Sequence, residues 1–331
     1  MKLPLFFNTF SHQPIIDPKV VEYVVAIMKE KNAQLNHEAF TTVYIMKLGE
    51  IFINVPNACA VKNHTAYQYL FLTSTTLDIL EHLVFDEHTQ TYTLTMIAQY
   101  SPYTMKVVLP KQRGERMMRA LIEHELGHLF NEHHCRKYAP TLLLQVAILK
   151  MVVGFALYEK FIAHSVLSVG EWLALDWPCA LLGAIIVYGV SYIIPALRNS
   201  SFISSDKWEE EADEFITSDK EILTGAILFQ EISLKAQTYI YSYTNNWIRL
   251  HAWWKRLDCA EFVKRYRKSA HKYFERSAVY GDAYHPLQED RIARFQKRME
   301  ELPTSEQPSV EFDPAVITIY SGTQVVKKFN I

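Results

Sequence analysis

Glycine and proline are scarce in this sequence, with 10 and 13 copies among 331 residues. Average usage of the two together is roughly 12%, so the shortage argues against a many-turned β-sandwich or barrel and favours helices. An excess of one charge is also lacking, since 34 Lys and Arg face 36 Asp and Glu. This balance excludes the strongly basic chain typical of nucleic-acid binders, and the 49% hydrophobic content excludes a disordered chain.

Paired cysteines are lacking as well. The four cysteines stand singly, without a CxxC pair, at Cys59, Cys135, Cys179 and Cys259. Neither a disulfide framework nor a thiolate zinc site is therefore expected, and a reducing compartment fits the pattern. The apolar run near the N-terminus is only five residues long. It is too short for the core of a signal peptide, so we expect no export signal.

Hydrophobic periodicity predicts an α+β fold that is mostly helical and has a small sheet. Helices are predicted over 18–34, 76–83 and most of 206–301. β-branched and aromatic residues predict strands over 41–55, 67–74, 90–100 and 104–110, the last two as a hairpin. The final residues, 302–331, are predicted to be a tail or an added edge strand containing VITIY.

Two long apolar segments follow residue 138. Residues 139–158 contain one charge, Lys150, and residues 179–197 contain none. Each is close to the roughly 20 residues that cross a bilayer, although two buried helices of a soluble domain would also fit. We predict a transmembrane hairpin over 139–198, because Trp172 and Trp177 in its connection are typical of membrane interfaces. Basic residues flank the outer ends, so the positive-inside rule places the remaining chain in the cytoplasm.

The sequence His124-Glu125-Leu126-Gly127-His128 lies in a helical stretch. Residues four apart share one face of a helix, so His124 and His128 can bind one Zn²⁺ while Glu125 points toward the zinc-bound water. A catalytic zinc with two His ligands needs a third protein ligand and keeps one position open. The pattern therefore predicts a metallopeptidase site with one ligand still to be found.

Two residues are candidates for the third ligand. His134 stands ten residues after His124, as in the metzincin pattern HExxHxxGxxH, with Asn131 in place of the glycine. The other candidate is Glu209, since Asp213 one helical turn later could accept a hydrogen bond from a zinc-bound His. An acidic run such as EEEADE is by itself usually a solvated face. The residue pattern leaves both candidates open.

Residues 236–280 combine nine Lys and Arg with several Trp and Tyr. Nucleic acid could bind such a surface, and a plain solvated helix would also fit. Beside a membrane hairpin we favour an interfacial helix on anionic lipid, and we expect no nucleic-acid partner.

Four motifs taken together resemble the HtpX and type I CAAX prenyl endopeptidase family of integral-membrane gluzincins. They are HELGH, the apolar hairpin, Glu209-xx-Ala212-Asp213, and His285-Pro286 followed by Arg291, with Pro56-Asn57-Ala58 upstream resembling the family's edge strand. The resemblance implies that one Zn²⁺ per chain is bound by His124, His128 and Glu209. It implies Glu125 as general base, Asp213 as partner of a zinc-bound His, His285 and Arg291 as substrate-binding or oxyanion-stabilising groups, and Asn57 and Ala58 on the substrate edge strand. On its own, His285 fits a loop before a helix that starts at Pro286.

The resemblance implies a membrane-anchored zinc metalloendopeptidase that cleaves proteins or peptides in the cytoplasm, in processing or quality control of membrane proteins. Its catalytic domain is expected in two parts, 1–138 and 199–301, around the hairpin 139–198 and before the tail 302–331. A soluble metzincin-like protease using His134 and a catalytically silent, zinc-stabilised membrane adaptor are the alternatives. The chain departs from the family in lacking two earlier membrane segments, in inserting residues 84–112, and in having Cys59 where Phe is common.

Overall fold

A computed structural model describes residues 16–36, 38–40, 43–47, 56, 58–62, 68–133, 205–273, 286–303 and 313–331. The chain divides into two units, Met1–Glu132 with Ser205–Ile331, and His133–Ser204. The elements below belong to the first unit. The transmembrane hairpin predicted at 139–198 lies outside the described residues, as do Asn57, His134 and His285. Within the described ranges, no helix combines the length and the apolar character needed to cross a bilayer.

Helices make up most of this unit. The first, α1 (Pro18–Leu35), confirms the helix predicted over 18–34, with Pro18 in its first turn and Asp17 Oδ1 accepting a hydrogen bond from the Lys19 amide at 2.8 Å. The others are α2 (Ser74–Ile79), which continues as a π-helical segment (Leu80–Phe85), α3 (Lys111–Phe130), α4 (Ser205–Phe215), α5 (Lys220–Tyr239), a 3₁₀ turn (Tyr241–Tyr243), α6 (Asn246–Trp254), α7 (Cys259–Tyr273) and α8 (Gln288–Glu300).

A three-stranded sheet precedes the HELGH motif in the sequence. Its strands are β1 (Val43–Lys47), β2 (Ala58–Lys62) and β3 (Gln68–Leu72), in the order β1-β3-β2. β1 is parallel to β3, and β2 is antiparallel to it. Two of these strands were predicted, and β2 begins at the Ala58 that the sequence analysis assigned to an edge strand.

A second sheet of four antiparallel strands has the order β4-β5-β6-β7. It is formed by β4 (Thr91–Ile97), β5 (Tyr103–Pro110), β6 (Val316–Ser321) and β7 (Gln324–Asn330). The predicted β4–β5 hairpin is confirmed. The prediction of a tail or edge strand around VITIY is wrong, because β6 lies between β5 and β7. Alternate residues Ile317 and Ile319 are fully buried, so one face of this inner strand packs on the core.

Helix α3 is at the centre of the unit, where it packs against α4, α5 and β2. A Cβ added to Gly225 of α5 would lie 2.5 Å from the Arg116 backbone, so the glycine permits a very close crossing of α5 and α3. The buried side of α3 includes Met117, Leu121 and Leu126. The fold is therefore a mostly helical α+β structure with two small sheets, built around the helix that carries HELGH.

Candidate metal centre

The two histidines of the HELGH motif point to the same place. His124 and His128 are one turn apart on α3, and their Nε2 atoms are 3.2 Å apart. Glu209 on α4 approaches both, with Oε2 3.2 Å from Nε2 of His124 and Oε1 3.3 Å from Nε2 of His128. Ligand atoms of all three lie within 4.8 Å of one another. The structure thus brings together residues that are up to 85 positions apart in the sequence.

A glycine allows α4 to reach this position. A Cβ added to Gly127 would lie 2.8 Å from Phe215 Cβ and 2.9 Å from Ala212 Cα, both on α4. Real side chains do not tolerate such distances, so only a residue without a side chain fits there. The small residues Gly127 and Ala212 therefore let the two helices cross closely enough for Glu209 to face the histidines.

Asp213 fixes the orientation of the first histidine. Its Oδ1 lies 3.0 Å from Nδ1 of His124. When Nδ1 donates its proton to this carboxylate, Nε2 presents its lone pair toward Glu209 and His128. Asp213 is buried. Burial raises the pKa of Asp213, but the charge of Arg291 and the hydrogen bond to His124 lower it by more. The pKa therefore lies well below its usual range, and the carboxyl is ionised.

The same contacts shift the titration of His124. Burial and the Arg291 guanidinium lower the pKa of His124, but hydrogen bonds to Asp213 and Glu209 and the charge of Glu209 outweigh them and raise it to about 9. Without a cation, His124 is therefore an imidazolium at neutral pH, with a proton on each ring nitrogen. A metal ion has to displace one of these protons, so the affinity of the site for the metal should increase as the pH rises toward 9.

Arg291 on α8 completes the buried cluster. It donates two hydrogen bonds to Asp213, one of them from Nε to Oδ2 at 2.9 Å. Its Nη1 lies 3.5 Å from Oε2 of Glu209, and its Nη2 lies 3.3 Å from Nδ1 of His124. Burial lowers the pKa of Arg291, whereas the carboxylates of Asp213, Glu209 and Glu125 raise it more. The structure therefore places Arg291 beside Asp213, Glu209 and His124, whereas its implied role in substrate binding or oxyanion stabilisation stays a prediction.

Two further arginines of α8, for which the sequence predicts no role, bind the same stretch of α4. Arg294 Nη2 lies 3.2 Å from Asp213 Oδ2, and Arg298 Nη1 donates to the Asp213 carbonyl at 2.6 Å. Arg291, Arg294 and Arg298 are three, four and seven residues apart, a spacing that places them on one helix face. This spacing is the sequence pattern that could have indicated a shared role for the three arginines.

A buried ion pair supports the other side of α3. Lys31 Nζ of α1 lies 2.9 Å from Glu123, the residue just before His124, and also donates to the Phe215 carbonyl at 2.8 Å. Glu123 in turn accepts a hydrogen bond from the Thr217 amide at 2.7 Å. These bonds join α1, α3 and the end of α4. Neither Lys31 nor Glu123 belongs to a recognisable motif, so the sequence alone does not indicate this ion pair.

Other predicted site residues are placed less completely. Glu125 is buried, and its charge acts on Arg291, as stated above. Ala58 is buried in β2, which packs against α3. The metzincin alternative required a turn at Asn131, but Asn131 keeps φ −82° and the left-handed residue is Glu132, with φ 55°. His134 itself, like Asn57 and His285, lies outside the described residues.

The donor set suits zinc. Two imidazole nitrogens and one carboxylate oxygen converge, which are ligand types of catalytic zinc sites that keep a fourth position for water. In the metal-free protein a proton on Nε2 of His124 can bridge the 3.2 Å to Nε2 of His128, and a zinc ion would take the place of that proton. Among the described residues, His124, His128 and Glu209 can therefore hold a zinc ion. The carboxylate of Asp213 contacts His124 and Arg291 instead.

The sequence model of Peptidase family M48 matches residues 17–299, which is most of the chain. This range includes α1, the HELGH helix, Glu209 and Arg291. No curated protein and no solved structure matches the chain significantly. The match and the His-His-Glu cluster agree with the motifs that the sequence analysis singled out. The chain therefore belongs to peptidase family M48 and is a zinc-dependent metalloendopeptidase.

Proposed function

We propose that the protein is a membrane-anchored endopeptidase in which His124, His128 and Glu209 bind one catalytic Zn²⁺. The convergence of these three side chains within 4.8 Å is the observation that carries the proposal. The ligand atoms come from two helices whose crossing depends on Gly127. This geometry supports Glu209 as the third ligand.

A zinc ion bound here would polarise the scissile carbonyl and lower the pKa of its water. Glu125 is assigned as the general base because it lies between the two histidines on α3 and is buried beside the cluster. Its carboxylate would accept the proton of the attacking water and deliver it to the leaving amine. Glu125 is therefore the residue whose loss should stop catalysis without loss of the metal.

Asp213 and Arg291 are assigned to the support of the ligands. Asp213 holds the Nδ1 proton of His124, and Arg291 donates to Asp213 and approaches Glu209. An ionised, fully bonded Asp213 keeps the imidazole in the tautomer that binds metal. Arg291 is buried and bound to carboxylates, which favours positioning over direct contact with substrate. His285, three residues before the start of α8, is then proposed as the group that stabilises the developing oxyanion.

The substrate is proposed to be a peptide or an unfolded protein segment that lies along β2. The strand order places β2 at one end of the described three-stranded sheet, next to α3. An extended peptide can add to such a sheet edge through backbone hydrogen bonds. Asn57 and Ala58 would lie at the start of this binding strand.

The membrane anchor is proposed to be the apolar pair of segments at 139–158 and 179–197. Their near absence of charge and the basic residues at their outer ends support insertion as a hairpin with the peptidase in the cytoplasm. Membrane proteins in need of processing or quality control would then be accessible substrates.

Metal analysis joined to a cleavage assay tests this function. The purified full-length chain should contain about one zinc per molecule and should cleave an unfolded test protein. A chelator should abolish the cleavage, and added Zn²⁺ should restore it. A chain that cleaves equally well after complete removal of the metal would refute the proposal.

A further inference from the structure

The end of helix α6 exposes apolar side chains that most proteins would bury. Leu250, Trp253 and Trp254 have 59%, 72% and 75% of their surface exposed. Leu250 and Trp254 are four residues apart and therefore neighbours on one helix face. Exposed apolar patches of this kind mark interaction surfaces.

The tip of the β4–β5 hairpin extends this surface. The Arg249 guanidinium of α6 lies 4.5 Å from the centre of the Tyr100 ring, a cation–π contact that joins the two elements. Tyr100 and Ile97 on the hairpin are 63% and 64% exposed. We call the five apolar residues together the aromatic tip: Ile97, Tyr100, Leu250, Trp253 and Trp254. A shallow depression of about 600 Å³ lies beside Arg249, Leu250 and Trp253.

The backbone at this surface is unusual in two places. Tyr100 has φ 67° and Arg256 has φ 54°, the left-handed region that favours glycine. Helix α6 ends in a Schellman motif, with the Leu257 amide bonded to the Ala252 carbonyl at 2.9 Å and the Arg256 amide to the Trp253 carbonyl at 3.0 Å. Glycine is the usual residue at the position of Arg256. Arg256 therefore places a guanidinium at a position where glycine would make the protein more stable.

Cationic residues adjoin the aromatic tip in the sequence. Lys255 and Arg256 directly follow Trp254 and are exposed. Lys264 and Arg265 on the next helix are also exposed, and Arg265 pairs with Glu261 at 3.3 Å. The nearest acidic residue in the sequence, Asp258, accepts hydrogen bonds from the Tyr243 hydroxyl and from the Ala260 amide at 2.9 Å. It therefore caps α7 and binds Tyr243. The two exposed residues that directly follow the tryptophans, Lys255 and Arg256, are cationic.

We infer that the aromatic tip is a docking surface for a bilayer that contains anionic phospholipid. Indole rings prefer the interface between headgroups and acyl chains, and Lys and Arg beside them bind lipid phosphates. The combination of adjacent tryptophans with cations supports lipid over an apolar protein partner, which would need no such charge. This contact involves none of the metal-binding residues, and it is separate from the proposed hairpin at 139–198.

Fluorescence quenching by brominated lipid tests the inference on the full-length chain. The protein is reconstituted in phosphatidylcholine vesicles, with and without phosphatidylserine, in which the acyl chains carry bromine or do not. The chain has six tryptophans, and all of them contribute to the fluorescence. The contribution of Trp253 and Trp254 is therefore measured as the quenching that is lost in the double variant Trp253→Phe and Trp254→Phe. We expect this contribution to be large in the vesicles with phosphatidylserine and smaller without it.

Two further variants separate lipid binding from folding. Arg256→Gly should lower the quenching that depends on phosphatidylserine while the melting temperature stays equal or rises, because glycine suits the left-handed position. Val325→Ser combined with Val326→Ser, an exposed apolar pair on β7, is the matched control and should leave quenching unchanged. Peptidase activity on the same vesicles reports separately on the proposed function.

Two results would overturn the inference. The first is a tryptophan pair that is equally bright in brominated and plain vesicles and is quenched by aqueous iodide, since the tip would then face water. The second is a pair that neither brominated lipid nor iodide quenches, because a protein surface would then cover it.

Discussion

Asp213 Oδ1 lies 3.0 Å from Nδ1 of His124, and both residues are buried and in contact with Arg291. The contact sets which nitrogen of His124 faces Glu209 and His128. It also links α4 to α3 at a second point, one helical turn beyond Glu209. The orientation of His124 therefore depends on Asp213 as well as on the helix that carries the histidine.

Replacing Asp213 by Asn should weaken zinc binding about 10- to 100-fold, because the amide holds the Nδ1 proton less well than an ionised carboxylate does. Competition with a fluorescent chelator measures the affinity. Glu214→Gln, at an exposed neighbour on the same helix, is the matched control and should bind zinc like wild type. Equal affinities in the two variants would contradict the role assigned to Asp213.

The identity of the third ligand can be decided with two alanine variants. Glu209→Ala should lose zinc during purification, since two histidines alone do not complete a catalytic zinc site. His134→Ala should keep about one zinc per chain. Metal content measured by atomic emission distinguishes them. Zinc loss in His134→Ala with retention in Glu209→Ala would select the metzincin-like arrangement.

Gly127→Ala should damage the metal centre through packing alone. The added methyl group would lie 2.8 Å from Phe215 Cβ and must push α4 away from α3. We expect a loss of about 1–3 kcal/mol in the free energy of unfolding together with weaker zinc binding. Urea unfolding and chelator competition measure the two effects. Gln112→Ala, at an exposed site of the same helix, should change neither, and a Gly127→Ala protein with normal zinc affinity would argue against a close crossing.

The membrane hairpin predicts both the extraction behaviour and the topology of the chain. Full-length protein expressed in cells should stay in the membrane pellet after alkaline carbonate treatment. A cysteine placed at Ser168, in the connection between the apolar segments, should react with an impermeant maleimide on intact cells above the level of the parent chain. A cysteine at Glu301 should react only after permeabilisation. Release of the chain by carbonate as a soluble protein would convert these segments into core helices.

Local patterns made much of the fold predictable. Helix α1 and the β4–β5 hairpin follow from the spacing of apolar residues and from turn signals close in sequence. The inner position of β6 depends on its pairing with β7, which the sequence does not indicate. β7 contains Lys327 and Lys328, and this polar sequence does not resemble a strand. The sequence signal therefore reported the strand and not its place in the sheet.

The metal centre divides in the same way. His124, Glu125 and His128 belong to one helix, so their arrangement follows from helical spacing. Glu209 could only be proposed as one of two candidates, because its approach depends on how α4 crosses α3. The Lys31–Glu123 ion pair joins residues 92 positions apart, and no local pattern indicates it. Contacts that depend on the packing of distant helices have to be seen in the structure.

The most direct test of the proposed mechanism is the zinc content and peptidase rate of Glu125→Gln beside wild type. The base is not a ligand, so the variant should keep about one zinc per chain while its cleavage of an unfolded test protein falls by at least about 100-fold. The change is nearly isosteric, and an unchanged melting temperature would show that the fold is intact. Full activity with bound zinc in Glu125→Gln would contradict the account.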